Sequence, residues 1–293
     1  MSVVHISVLL EEVVKYLVSE KTNVFIDATV GGGGHAFNIL KKYETIRLIG
    51  LDADEDILKI ARERLFEFEG RARLIRGNFK NLREILKSEG IASVDAILFD
   101  LGLSSFQIAG DRGFSFNDDS FLDMRMDNRE SLTAYDVVND YEYKDLLKII
   151  RDYGEDYRAQ AIAKTIVETR RKKPIATTGE LSNIIMKAKR RTGKIHPATK
   201  TFQAIRIEVN DELRSLQQGI DAAIDMLSPE GRLGVISFHS LEDRITKFAF
   251  KDSPFLKVVT KKPLRPEKDE IRNNPRSRSA KLRIAEKKVR EII

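Results

Sequence analysis

The chain has 293 residues, 42% of them hydrophobic and 33% charged, with no cysteine and no tryptophan. That length is one large domain or two ordinary ones, enough to bury a core without covalent staples. The missing cysteine excludes a disulfide framework, a thiolate-held zinc or iron–sulfur cluster, a His/Cys/Cys zinc deaminase and any cysteine-nucleophile mechanism. No run of 18 apolar residues occurs, and the first residues carry neither a basic start nor a small-residue cleavage site. The reading is a cytoplasmic protein with no membrane span and no secretory signal.

Charge is unevenly spread. The net value is +6, yet residues 158–200 hold 12 basic and 2 acidic side chains and residues 257–293 hold 13 and 5. The remainder is therefore at −12. Two basic stretches on an acidic body predict a phosphate-rich partner, nucleic acid above all. Solvated helix faces and a soluble tail are the plainer alternative.

Along the first hundred residues strand and helix signals alternate. Strands are expected at 24–29, 48–52, 73–76 and 94–101, with helices at 35–43, 55–66 and 82–88. Such alternation predicts βαβ units, a doubly wound parallel sheet and a ligand at the carboxyl ends of its strands. Residues 105–130 read as loop, rich in Asp, Gly, Ser and Asn. Helices follow at 143–151, 158–170, 180–191 and 208–227. A buried strand at 232–239 follows the Pro229-Glu230-Gly231 turn, and late strands are expected at 255–260 and 280–285. The simplest organisation is an α/β domain made of residues 1–108 and 216–293, interrupted by a helical domain at 109–215.

The segment Asp27-Ala28-Thr29-Val30-Gly31-Gly32-Gly33-Gly34-His35 follows the first strand and opens a helix. Glycines there let a ligand approach the backbone, and a helix N-terminus favours a negative group. Gly31-x-Gly33-x-x-Ala36 also fits a dinucleotide fingerprint, and Asp52 ends the next strand where an acid would hold a ribose diol. The alternative is a tight turn with a capping Asp. Asp27, at the strand end, would be repelled by a pyrophosphate but suits an ammonium and a sulfonium. This favours S-adenosylmethionine over NAD, with a structural cap as the other role for Asp27. Phe79, after the third strand, is placed to stack on adenine or to pack in the core. Asp100 ends the fourth strand at the pocket mouth.

These residues sit in longer motifs. They include His5-x-Ser7-Val8-Leu9-Leu10-Glu11-Glu12, the loop ending Gly33-Gly34-His35, and Asp100-Leu101-Gly102-Leu103-Ser104-Ser105-x-Gln107. Further on come Arg112-Gly113-Phe114-Ser115-Phe116, Asp123-Met124-Arg125-Met126-Asp127 and His196-Pro197-Ala198-Thr199-x-Thr201-Phe202-Gln203-Ala204. Last are Ser237-Phe238-His239-Ser240-Leu241-Glu242-Asp243-Arg244 and Asn274-Pro275-Arg276-Ser277-Arg278-Ser279. In this order they resemble the bacterial MraW family of S-adenosylmethionine-dependent small-subunit ribosomal RNA methyltransferases. The resemblance implies a Rossmann-like class I methyltransferase fold and methylation of a cytidine N4 amine at the decoding centre of 16S ribosomal RNA. It implies cofactor contacts by Gly33, Gly34, His35, Asp52, Phe79, Asp100 and Gln107, and an RNA-facing role for the insertion. Gly32 stands where some relatives carry Arg.

For the chemistry, a carboxylate accepting an N4 hydrogen bond would restore the amine's nucleophilicity. Asp100 is placed for this, and Asp123 is the second candidate. Carbon-5 methylation usually recruits a cysteine, so N or O transfer is favoured. The strand end lacks the Asp/Asn-Pro-Pro-aromatic motif of many amino-methyltransferases. Phe114, Phe116 and His239 are therefore candidates for holding the base, or simply pack under the long loop. Arg170, Arg171, Lys172 and Lys173 form the densest basic cluster, a candidate RNA contact. No pair of histidines has metal-ligand spacing, and no metal is required. An NAD(P)-dependent oxidoreductase and a non-catalytic RNA-binding assembly protein are the competing classes. Free ribosomal RNA and the assembled small subunit are both admissible substrates.

Overall fold

The computed structural model describes residues 7–189 and 196–289. Two compact units emerge, one made of residues 1–104 and 213–293, the other of 105–212. No helix among the described residues is long and apolar enough to cross a membrane.

The first unit is built on a seven-stranded sheet. Its strands are β1 (Val24–Asp27), β2 (Arg47–Asp52), β3 (Ala72–Arg76), β4 (Val94–Asp100), β5 (Leu227–Ser237), β6 (Leu256–Val258) and β7 (Lys281–Lys287). The order is β3-β2-β1-β4-β5-β7-β6, and only β7 runs antiparallel to its neighbours. The central strands are near-continuous apolar runs because both faces are covered. Phe25, Leu48, Ala96, Leu98 and Ile236 point to one face, under α1 (Leu10–Leu17), α2 (Gly34–Lys42) and α3 (Glu55–Arg64). Ile26, Ile49, Ile97, Phe99 and Val235 point to the other, under α4 (Leu82–Ser88) and α11 (Glu212–Met226). The sheet has the α/β architecture of a Rossmann-like class I methyltransferase. Each parallel crossover delivers its loop to the same edge, and this is what gathers Asp27, Asp52 and Asp100.

The second unit is helical: α5 (Ser105–Ala109), α6 (Ala134–Asp140), α7 (Tyr143–Asp152), α8 (Ala159–Arg170), α9 (Thr178–Ala188) and α10 (Thr199–Asn210). Leu146, Ile150, Ile162, Ile166, Leu181 and Ile185 form its buried stripes. Capping boxes start α6 (Thr133 with Asp136) and α9 (Thr177 with Glu180), each satisfying orphan backbone donors.

Several elements differ from expectation. The helix expected at 208–227 is two helices, because Asp211 takes a left-handed conformation (φ 49°) that ends α10. The strand expected at 232–239 begins at Leu227 and is irregular, its pairing with β4 jumping from Leu227 to Arg232. The α9 helix ends at Ala188, and positions 190–191 of the expected helix lie outside the described residues, as does His5.

Candidate cofactor site at the strand ends

The glycine loop is fixed by the strand behind it. The Val30 N–H donates to the Leu51 carbonyl (2.7 Å), and the Gly33 N–H donates to that of Val30 (2.8 Å). Gly31 and Gly33 take left-handed backbone (φ 52° and 77°), which side chains disfavour. The loop delivers Gly34 as the first residue of α2, with its unpaired backbone donors at the strand ends.

Asp52 is the loop's anchor. Its Oδ2 accepts the Gly31 N–H (3.0 Å) and its Oδ1 accepts that of Asp54 (2.9 Å). Each carboxylate oxygen retains a second lone pair, so a diol is still acceptable there. Burial pushes Asp52 up to about 6 against these hydrogen bonds.

Asp27 is only 1% exposed. Its Oδ1 is 3.4 Å from the Thr29 N–H, and its Oδ2 is buried without a partner. Burial, then the charge of Asp100, lifts it to about 8. Asp100 is held through its own N–H, which donates to Thr29 Oγ1 at 2.6 Å. Its Oδ1 is also buried and unpartnered. Burial, then the charge of Glu242, raises it to about 7, although a Gly102 backbone hydrogen bond opposes this.

His35 faces Asp100, with Nδ1 3.7 Å from Oδ2. Its Nε2 lies 2.9 Å from the Val8 carbonyl, which fixes the proton on Nε2. Burial holds the imidazole down at about 4, so it is neutral and turns a lone pair toward the carboxyl group. Phe79 sits edge-on to Phe99 (5.3 Å between centroids) in a short 3-10 turn capped by Asn78. The phenyl ring is partly buried against the core.

A second layer comes from β5 and α12 (Ser240–Asp252). His239 caps α12 in a reciprocal box with Glu242, whose Oε2 accepts the Phe238 N–H at 2.7 Å. The Phe238 ring presses on Gly102, where an added Cβ would lie 2.8 Å from Cε2. Asp243 then ties α12 to β7 through Lys281 (2.9 Å) and Arg283 (2.7 Å). Thus His239 is a helix cap whose Nε2 is buried without a hydrogen bond. Sequence reasoning did not single out Glu242 or Thr29. The H-x-x-E spacing of a capping box was the available signal for Glu242.

These residues suit S-adenosylmethionine. Two orphaned carboxylate oxygens and a third acid match a ligand bearing an ammonium and a sulfonium. The backbone donors at Gly34 match its carboxylate. Asp27, Gly33, Gly34, His35, Asp52 and Asp100 are thereby brought together. The unanswered acids among them disfavour a pyrophosphate.

The remaining candidates lie in the other unit, described by itself. Gln107 is buried on α5. The Asp123 carboxylate is committed to Arg125, through Nε (2.7 Å) and Nη2 (2.9 Å), and its hydrogen bonds with Arg125 hold it below its usual range against partial burial. Phe114 is buried beneath the Arg112 guanidinium. Phe116 stacks on His196 (4.5 Å) and meets Phe202 edge-on (5.4 Å). The basic cluster is not four equivalent cations. Arg170 donates to the carbonyls of Val138 (2.7 Å) and Tyr141, and Lys173 pairs with Glu180 (2.8 Å). Arg171 and Lys172 are exposed.

Residues 2–288 match the MraW methylase family. A Sulfurihydrogenibium sp. (strain YO3AOP1) protein named ribosomal RNA small subunit methyltransferase H is 52% identical over 286 residues, spanning 96% of this chain and 98% of the relative. Like-named proteins of Persephonella marina (50% identical; 97% and 99% covered) and Clostridioides difficile (47%; 97% and 98%) are similar over the same extent. The chain belongs to the MraW methylase family and is an S-adenosylmethionine-dependent methyltransferase.

Proposed function

We propose that this protein methylates the N4 amine of a cytidine in small-subunit ribosomal RNA, at the decoding centre, in the cytoplasm. The observation that carries the reading is Asp100. It stands at a strand end beside the glycine loop, with one carboxylate oxygen buried and unpartnered. The RNA class follows the names of the relatives, and the basic stretches accord with it.

Bound there, S-adenosylmethionine supplies a methyl group that is already electrophilic, so the chain's task is positioning, water exclusion and proton handling. Asp27 faces the cationic groups, Asp52 and its loop the ribose, and Phe79 the adenine. Asp100 accepts an N–H from the exocyclic amine. That hydrogen bond returns lone-pair density to a nitrogen otherwise delocalised into the ring, and the same oxygen receives the departing proton. Asp123, already bound to Arg125, is the weaker acceptor. The absence of cysteine removes the usual nucleophile for carbon-5 methylation. Gln107 is a further cofactor contact. In the helical unit Phe114 and Phe116 shape an RNA-facing surface through the elements they pack, with Arg171 and Lys172 as its phosphate contacts; in the sheet unit His239 shapes the strand-end edge by capping α12.

The test is transfer of tritiated methyl from S-adenosylmethionine to assembled small subunits and to free ribosomal RNA, with the modified nucleotide identified by mass spectrometry. N4-methylcytidine is expected. Methyl on a ribose oxygen, on a uridine or on protein alone overturns the proposal.

A further inference from the structure

Asp27 and Asp100 end neighbouring parallel strands, β1 and β4. One oxygen of each is buried with no partner. The Asp27 Oδ1 is 3.4 Å from the Thr29 N–H, and Asp100 has a Gly102 backbone hydrogen bond, with its Oδ2 3.7 Å from His35 Nδ1. The groups facing the pair do not neutralise it. Asp52, ending β2, is another acid, with Asp54 beside it. Glu242, at the head of α12, is a fifth carboxylate, and its charge acts on Asp100. His35 on α2 is uncharged, and Arg76 on β3 donates to the Ala53 carbonyl at 3.4 Å. A buried carboxylate and a partly buried one, without a cation to answer them, cannot both stay ionised cheaply, and such a pair titrates as a unit.

We propose that, without cofactor, the Asp27–Asp100 pair holds one proton between its two coupled acids. Binding of the sulfonium cofactor displaces it, and the pair recovers a proton when the methyl group leaves. A proton and the sulfonium charge thus exchange places in each turnover. The inference rests on the methyl-donor and amine-acceptor reading above. The step balances. The amine nitrogen–methyl carbon bond forms, and the methyl carbon–sulfur bond breaks with its electron pair staying on sulfur. One N–H bond breaks, and its proton goes to the carboxylate pair. The net charge of the acid pair and the sulfur together is therefore the same in reactants and products. The proton affinities accord with this, since burial and the charge of Asp100 lift Asp27 to about 8, while burial and the charge of Glu242 lift Asp100 to about 7.

S-adenosylhomocysteine, with its uncharged sulfur, binds with the proton retained. The product is thus recognised in a different protonation state from the donor.

Calorimetry on the full chain tests this, titrating S-adenosylmethionine and S-adenosylhomocysteine near pH 7 in phosphate and in Tris, whose ionisation enthalpies differ. S-adenosylmethionine is expected to release about one proton more than S-adenosylhomocysteine. Below neutrality its relative affinity is expected to fall about tenfold per pH unit. Asp27→Asn, which keeps the volume, is expected to abolish most of the difference. Equal proton counts for the two ligands in the wild type overturn the proposal while leaving the cofactor assignment intact. Binding of neither ligand overturns the assignment and the proposal together. Should Asp27→Asn not fold, the wild-type counts decide.

Discussion

The two units treat buried acids in opposite ways. In the helical unit the two buried acids meet cations, Asp156 with Lys189 (2.7 Å) and Asp127 with Arg129 (2.6 Å), and so do the partly buried Asp123, with Arg125, and Glu212, with Arg206 (2.8 Å). At the strand ends of the sheet unit, the buried Asp27 and the partly buried Asp100 each keep one buried oxygen without a partner, and both have raised proton affinities. Paired acids hold a fold together, whereas unpaired ones await a charge that is not part of the chain. The difference separates structural carboxylates from binding ones, and it demotes Asp123 relative to Asp100.

The comparison is broken most forcefully from the paired side. Asp156→Asn leaves Lys189 without its partner, and stability is expected to fall by about 3–5 kcal/mol in denaturant unfolding. Asp27→Asn acts with the opposite sign. A folded-state pKa above the unfolded value means that the native state binds more protons. Cofactor-free stability is therefore lost as pH rises from the unfolded value of 3.8 toward about 8. Melting curves should show the Asn variant gaining most on wild type near pH 8.

Asp52→Ala removes two loop hydrogen bonds and the proposed diol acceptor. S-adenosylhomocysteine affinity should drop by about 1.5–3 kcal/mol by calorimetry. An unchanged affinity would leave Asp52 as a loop anchor alone.

Asp100→Ala should slow methyl transfer at least about tenfold, on the scale of a lost general base, with the melting temperature retained. A smaller effect is expected at Glu242. The Gln variant keeps an acceptor for the Phe238 N–H but removes the charge that raises Asp100. The acidic limb of the transfer rate, where Asp100 must lose its proton, should move to lower pH. A limb that stays in place would confine Glu242 to capping.

The smallest effect belongs to the exposed cations. Replacing Arg171 and Lys172 by Gln should reduce the salt slope of RNA binding by about 1.4, at about 0.7 per phosphate contact. Arg170→Gln should instead lower thermal stability, because that guanidinium braces two backbone carbonyls. The two variants together separate what a single basic run in the sequence conflates.

Much of this was legible in the residues. The apolar runs of β1, β2 and β4, each closing on an acid, announced both the sheet and its ligand edge. Helices without ordinary start signals were not legible. The α1 helix is eight residues long and is preceded by Leu9 in a left-handed conformation with no side-chain cap. The α12 helix is capped by His239, an unusual choice. The break at Asp211 falls in a sequence with neither Gly nor Pro, so propensity runs straight through it. The influence of Glu242 on Asp100 spans 142 positions and exists only because β4 lies beside β5. Local patterns report which residues carry charge. Whether a charge is answered, as for Asp123, or left open, as for Asp27, is a tertiary fact.

The central claim is that the unpaired-acid edge of the sheet unit holds the methyl donor. Hydrogen–deuterium exchange with and without saturating S-adenosylhomocysteine addresses it most directly. The account predicts strong added protection across residues 27–36 and 100–102. It predicts none in the paired-acid segment 123–130. A glycine loop whose exchange is unmoved by saturating ligand would contradict it.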